Sequence, residues 1–362
     1  MPHSGEAKLY PMLHPTPQSS DLVRSEHPLL SLLAHIPDQL DQLPQACEAV
    51  EDWDHTMRAA HANGVLGLLS WALNQSGWQL PAQVAEWTHT RVRASAMQQL
   101  QARASLRKVL AELDRAKIRC APFTGPFLAD QYYPQGVVRS AVDLDILIDP
   151  RHRGEAEEAL RSIGYLVEDP GPVASYERFR HEIKASKADA TAVELHQHVN
   201  SSFGVPVPTG PFLDRSTCVS NPQLGRVRDL ALADALLLVT LHASASLFVA
   251  AKWLMDVKLL ALAASPTQVK DALVRAEEHH VLSAFIFGLH YVQKVNVRTP
   301  ALPSRAAWRV RHQVAAALRP AVLSSLAQGR PSPMPLVHLV LSDSLLSWPR
   351  LAGFRLWDHL RR

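Results

Sequence analysis

Arg139-Ser140-Ala141-Val142-Asp143-Leu144-Asp145-Ile146-Leu147-Ile148 is the stretch on which the reading of this chain turns. Its apolar second half, followed by Asp149-Pro150, predicts a buried strand over 142–148. Alternate side chains of a strand share a face, so Asp143 and Asp145 point one way while Leu144 and Ile146 point into the core. Two carboxylates side by side repel each other unless a cation lies between them. Oxygen donors of this kind suit Mg²⁺, which commonly uses one or two protein carboxylates with waters and substrate phosphates; Mn²⁺ accepts the same donors. An Asp-x-Asp pair alone is also what an exposed strand edge carries, so its meaning depends on context.

The context comes from a second apolar strand, Ala192-Val193-Glu194-Leu195-His196-Gln197-His198, whose alternation puts Glu194, His196 and His198 on one face. A third acid beside the pair would act as general base on a hydroxyl or as a further metal ligand. With two ions held there, one activates an attacking oxygen and the other neutralises a leaving pyrophosphate, which is the chemistry of nucleotidyl transfer. His196 reads as a brace for an acidic neighbour, and a Zn²⁺ site made with Glu194 and His198 is the alternative. The basic run Arg178, Arg180, His181, Lys184, Lys187 borders these strands. It is either a solvated hairpin or a surface that receives phosphates or a nucleic-acid acceptor.

Outward from these strands, 118–123 reads as a short buried strand ending at Thr124-Gly125-Pro126. A helix over 127–133 is stopped by Pro134 and Gly136, and an amphipathic helix over 155–163 is closed by Gly164. Strands over 165–167, 178–184 and 190–199 complete a mixed unit spanning 117–205. Before it, residues 1–25 read as a flexible leader and 26–116 as a helical domain, with Leu29, Leu32, Leu33 and Ile36 at helical spacing. After it, 206–362 reads as a second helical domain. Its clearest helices cover 230–264 and 267–294, a proline-bearing loop covers 319–335, and terminal segments 336–348 and 354–360 pack back on the body. The fold class expected is α+β: a small mixed sheet flanked by helical domains.

Composition narrows the classes. At 362 residues with 47% hydrophobic side chains the chain can bury a large core, and a formal charge of +3 is too small to mark a nucleic-acid protein by bulk electrostatics. Cys47, Cys120 and Cys218 lack metal-ligand spacing and read as plain buried thiols of a reducing compartment. No secretory signal is visible at the start. The most apolar stretch, 230–262, is interrupted by Asp234, His242, Lys252 and Asp256, so it reads as buried helices and not a membrane span. A cytoplasmic protein is expected.

Taken together, Thr124-Gly125, Tyr133-Pro134, Arg139, Asp143-Leu144-Asp145, Gly164-Tyr165 and Glu194-Leu195-His196 occur in that order. His242 and Trp253-Leu254-Met255-Asp256 follow. This series resembles the uncharacterised bacterial nucleotidyltransferases of the DNA polymerase beta-like superfamily, over about residues 30 to 290. The resemblance implies a polymerase beta-like core in which Asp143 and Asp145 hold Mg²⁺ and Glu194 is the third acid. Thr124 and Gly125 would lie at the turn facing the triphosphate, where a missing side chain lets backbone N–H groups approach. Arg139 would either orient a phosphate or brace the carboxylate strand; His181, Lys184 and His196 would stand behind the acids.

The implied reaction moves a nucleoside monophosphate from an NTP, ATP first among them, to a hydroxyl acceptor: a small metabolite, a peptide or protein side chain, or an RNA end. One departure stands out. The group's lysine before glycine is Thr124 here, which brings no charge, and Pro126 removes an N–H donor. That departure motivates a second reading, a regulatory or binding protein without turnover; a phosphotransferase on the same fold is the third.

Overall fold

The computed structural model describes residues 28–168, 182–199, 202–203, 205–295, 306–327 and 334–343. The expected leader at 1–25, His181 with its basic neighbours Arg178 and Arg180, and the expected terminal segment 354–360 lie outside these residues.

Five strands form the central sheet: β1 (Cys120–Pro122), β2 (Asp143–Ile148), β3 (Leu166–Val167), β4 (Glu182–Ser186) and β5 (Ala192–His196), in the order β1-β2-β5-β4-β3. β2 and β5 run parallel; every other neighbouring pair is antiparallel, so the sheet is mixed. Alternation sorts the strand residues into two faces. Leu144, Ile146 and Ile148 of β2, Ile183 and Ala185 of β4, and Val193 and Leu195 of β5 enter one buried cluster. That cluster is closed by the C-terminal half of the long helix α5 (Ala82–Arg115), through Ala102, Leu106, Val109, Leu110 and Leu113, and by α7 (Arg153–Ser162). The spacing of these α5 residues is that of one helical stripe. The residues between them in the strands, among them Asp143, Asp145, Glu194, His196 and Lys184, are left to the other face.

Helices from both ends of the chain share the core on that other side. It unites α1 (Pro28–Ala34), α2 (Leu43–Glu48), α3 (Trp53–Ala62), α4 (Leu66–Gln75) and α6 (Gly125–Tyr132) with helices that follow the sheet. The latter are α8 (Gly210–Arg215), α9 (Leu232–Ala245), α10 (Ala251–Ala263), α11 (Pro266–Glu278), α12 (Leu282–Val292), α13 (Ala306–Ala327) and α14 (Met334–Leu341). Leu29, Leu32, Leu33 and Ile36, the first periodic set in the sequence, are all fully buried in it. Every residue of α10 from Ala251 to Leu260 is buried, the charged Lys252, Asp256 and Lys258 included.

Several expectations are corrected. The stretch 230–264 is two helices, separated where Leu247 and Phe248 adopt positive φ (50° and 51°). Residues 267–294 likewise divide into α11 and α12. Residues expected as loop from 319 onward belong in part to α13, which runs through Pro320. A proline there forfeits one helical hydrogen bond, and tertiary contacts outweigh that loss: Arg319 donates to the carbonyls of Leu247 and Phe248, both at 2.9 Å. A hairpin of β6 (Thr217–Asn221) and β7 (Gly225–Asp229) interrupts the segment expected to be helical. Cys47 and Cys120 are buried, with burial pushing both thiols up to about 12, but Cys218 is exposed. No helix among the described residues is long and apolar enough to cross a membrane.

One packing contact bears on how the carboxylate strand is entered. A Cβ on Gly67 of α4 would lie 2.1 Å from the Val138 carbonyl oxygen, in the loop leading to Asp143. Gly→Ala inside a helix ordinarily stabilises by roughly 1 kcal/mol. Here the new methyl meets backbone, so Gly67→Ala is expected to cost about 1–3 kcal/mol, read as a lower denaturant midpoint. A midpoint that rises would mean that this loop yields freely.

Candidate functional site

The sheet register brings the acids together. Asp145 of β2 sits directly opposite Glu194 of β5, and Asp143 opposite Ala192. On the far side of β5, Lys184 is paired with Glu194 and Glu182 with His196. One sheet face therefore carries Asp143, Asp145, Glu194, His196, Glu182 and Lys184 side by side.

Asp145 is 4% exposed and both its oxygens are engaged. Oδ1 lies 2.9 Å from His196 Nε2, and Oδ2 accepts the Thr124 hydroxyl. Thr124 occupies the N-cap position of α6, yet its side chain makes no capping bond and serves the carboxylate instead. Gly125 follows with φ 67°, a left-handed conformation natural to glycine, and faces the Asp143 carbonyl. Lys184 Nζ bridges Glu194 (2.7 Å) and Glu182 (2.9 Å). The second Glu194 oxygen is 4.0 Å from His196 Nε2.

Asp145, Glu194 and His196 each offer one ligand atom, all within 4.8 Å of one another. This donor set can hold a divalent metal: two carboxylate oxygens suit Mg²⁺ or Mn²⁺, and the imidazole nitrogen widens the choice toward transition metals. It differs from the expected trio. His196, placed by the sequence behind the acids, stands among them, whereas Asp143 lies two residues up the same strand and outside that group. Asp143 remains electrostatically part of the site, since burial first and then the Asp145 charge push its carboxyl above the ordinary range.

Arg139 lies behind the acids. It is 4% exposed, and its guanidinium forks onto Asp256 of α10, Nε to Oδ1 at 2.8 Å and a terminal nitrogen to Oδ2 at 2.6 Å. Tyr133 donates to the same Asp256 oxygen at 2.6 Å. Its fork is filled by a carboxylate, which ties the loop before β2 to α10.

The other side of the site is lined from the helices that carry His242 and Trp253. Phe123 stands edge-on to His196 (5.1 Å between ring centroids) and to His242 of α9 (6.4 Å), and His242 stands edge-on to Trp253 (5.6 Å). Beside Trp253 lies Lys252, 4% exposed, whose ammonium is 5.6 Å from the Trp253 ring centre. The sequence marked Lys252 only as an interruption of an apolar run. Lysine is rarely buried unless it is paired, so its burial in this helix sets Lys252 apart from the apolar residues around it.

Electrostatics follow from crowding acids in a buried place. Burial pushes the Glu194 carboxyl up, the charges of Glu182 and Asp145 push it further, and Lys184 opposes them, leaving it at about 8. Burial lowers the His196 imidazolium, but the hydrogen bond and charge of Asp145 outweigh that and raise it to about 9. For Asp145 burial also acts upward, and the His196 contact reverses it, holding the carboxyl well below its usual range. Groups raised in the fold stabilise it while protonated. The Glu194 contribution is complete below its ordinary 4.5 and is lost as pH rises to about 8. That of His196 is complete below 6.5 and is lost through about 9. Asp145 acts in the opposite sense but only below its ordinary 3.8. In chelator, the melting temperature is therefore expected to fall by on the order of 5 °C between pH 5 and 9, and Glu194→Gln should flatten that slope. A flat wild-type profile would contradict the raised proton affinities of Glu194 and His196.

Comparison with known proteins adds the following. No curated protein matches the chain. Among solved structures, the antibiotic-resistance factor ANT(2'')-Ia is similar at 15% identity and a TM-score of 0.35, over 52% of this chain and 97% of that one. The profile of the uncharacterised nucleotidyltransferases matches residues 49–296, which include every group of the site described above. An acidic face on a mixed sheet, entered through Thr124-Gly125 and walled by α9 and α10, thus sits within the matched region, and the chain belongs to the uncharacterised nucleotidyltransferase family.

Proposed function

We propose that this protein transfers a nucleoside monophosphate from an NTP, with ATP the first candidate, to a hydroxyl acceptor in a Mg²⁺-dependent reaction. The observation that carries the reading is the parallel β2–β5 register, which sets Asp145 against Glu194 on the face that also bears Asp143. Asp143, Asp145 and Glu194 would hold the divalent ions, with His196 at the edge of the set. When bound, such ions neutralise the triphosphate and lower the barrier to forming an oxyanion nucleophile.

The chain's own part in the reaction is to position and to move protons. The acceptor oxygen bonds to the α-phosphorus, the bond from that phosphorus to the bridging oxygen of the β-phosphate breaks, and pyrophosphate leaves. Glu194, whose carboxyl is pushed up to about 8 by burial and by the neighbouring acids, is suited to take the acceptor's proton. His196 and Thr124 fix Asp145 from either side, so its orientation does not have to be found during turnover. Gly125 leaves room for phosphate at the start of α6, although Pro126 withholds one N–H there.

The acceptor could be a small metabolite, a peptide or protein side chain, or an RNA end. The test is to incubate the full chain with each NTP and Mg²⁺ or Mn²⁺ in the presence of cell metabolite, peptide and RNA fractions. Pyrophosphate release and an acceptor mass increased by one nucleoside monophosphate are expected. An acceptor gaining phosphate alone would replace this reading with phosphotransfer. Nucleotide binding without pyrophosphate release from any fraction would favour a regulatory role, the reading that the uncharged Thr124 motivates.

A further inference from the structure

We propose that Lys252 of α10 is the cation that grips the β- and γ-phosphates of the incoming nucleotide, in place of a lysine at position 124. The inference rests on the nucleotidyl-transfer reading and assigns the triphosphate-binding side of the same site.

A triphosphate that keeps several negative charges after metal binding calls for a basic side chain. Among the described residues the nearby candidates are already committed. Arg139 is forked onto Asp256, and Lys184 bridges Glu182 and Glu194. His196 is held by Asp145, and Thr124 offers a hydroxyl that it donates to Asp145. Lys252 differs from all of these. It is 4% exposed, and among the described residues it has neither a hydrogen bond from its ammonium nor an ion pair. The contrast with Lys258, two turns along the same helix, is direct. That lysine is also buried, but it donates to the carbonyls of Leu33 (3.2 Å) and Ala34 (2.8 Å) and lies 3.6 Å from Asp38. Burying an ammonium without a partner is costly unless a ligand supplies one.

Position agrees with the assignment. The Lys252 stem runs past Gly64, where an added Cβ would lie 3.0 Å from Lys252 Cδ and 3.1 Å from the Ser140 hydroxyl. The stem thus passes Gly64 beside Ser140, in the loop that delivers Asp143, and the ammonium ends near the Trp253 ring. That ring is linked through His242 and Phe123 to His196. Burial acts downward on its protonation, and Asp143 is the first charge to oppose that effect.

The experiment compares ATP, ADP and AMP binding with Mg²⁺ by calorimetry on the full-length wild type, Lys252→Met, Lys252→Arg and the double variant Thr124→Lys with Lys252→Met. Lys252→Met is expected to weaken ATP about ten- to a hundredfold while changing AMP by less than about threefold. Lys252→Arg should keep most of the ATP affinity, and lysine at 124 should restore part of it. Thermal melts of each variant report folding. A folded Lys252→Met that keeps the wild-type preference for ATP over AMP, or that loses ATP and AMP equally, overturns the proposal and leaves the acidic site standing. A wild type that binds no nucleotide overturns the underlying reading and this proposal with it. If Lys252→Met fails to fold, Lys252→Arg alone decides: a loss of ATP preference in that folded variant contradicts a role for the positive charge.

Discussion

Asp145→Asn is expected to reduce Mg²⁺-dependent pyrophosphate release by at least about a thousandfold, since a metal-bound carboxylate contributes several kcal/mol to a phosphoryl-type transition state. The amide keeps the size of the side chain and one acceptor oxygen but loses the charge. Asp143→Asn is expected to be similarly inactive, and the two variants part company in stability. The fold holds the Asp145 carboxyl below its ordinary range through His196 and Thr124, so neutralising it discards favourable contacts and should lower the melting temperature in chelator. Burial and the Asp145 charge push the Asp143 carboxyl upward, so neutralising it removes an unfavourable charge and should leave stability unchanged or higher. Rates with saturating Mg²⁺, together with melts in chelator and in Mg²⁺, check both halves. An Asp145→Asn protein within about tenfold of the wild-type rate would remove this carboxylate from the chemistry. Loss of activity with an unchanged Mg²⁺-induced stabilisation would separate turnover from metal binding.

The parts of this site that could be read in advance are those encoded by period-two alternation. Asp143 and Asp145 must share a face whatever the strand pairs with, and Glu194 must share one with His196. Their meeting depends on β2 lying parallel to β5 although α7, β3 and β4 come between them in the chain, and no local signal specifies that register. Arg139 could be narrowed to two roles; its partner Asp256 lies 117 residues away. Lys252 is one of three charged residues in a largely apolar helix, and what sets it apart from Asp256 and Lys258 is the partners those two find elsewhere in the fold. The break at Leu247-Phe248 lacks the glycine or proline that usually marks a left-handed turn. The β6–β7 hairpin escaped because its strands are short and largely exposed, leaving little alternation to detect.

The largest loss of stability is expected at the ion pair that joins the sheet to α10. Arg139 and Asp256 have side chains only 3% and 0% exposed, their two hydrogen bonds are short, and Tyr133 adds a third to the same carboxylate. Removing one partner strands a charge in a place that water does not reach, which costs about 3–5 kcal/mol. Arg139→Met and Asp256→Asn should each lower the unfolding free energy by an amount in that range, read from denaturant titrations. Replacing both, as Arg139→Met with Asp256→Leu, removes the stranded charge and should recover a large part of the loss, so the two changes are strongly non-additive. Arg139→Lys should not substitute, because a single ammonium cannot fill both oxygens of the fork. Single variants that cost under about 1 kcal/mol, within the range of an exposed pair, would mean that the pair is solvated in solution. The same linkage has a functional side. Asp256 lies one helical turn beyond Lys252, so the pair that anchors Asp256 also sets where Lys252 stands relative to Asp143. A folded Arg139→Met protein should therefore lose ATP affinity as well as stability, although the guanidinium itself is engaged by Asp256.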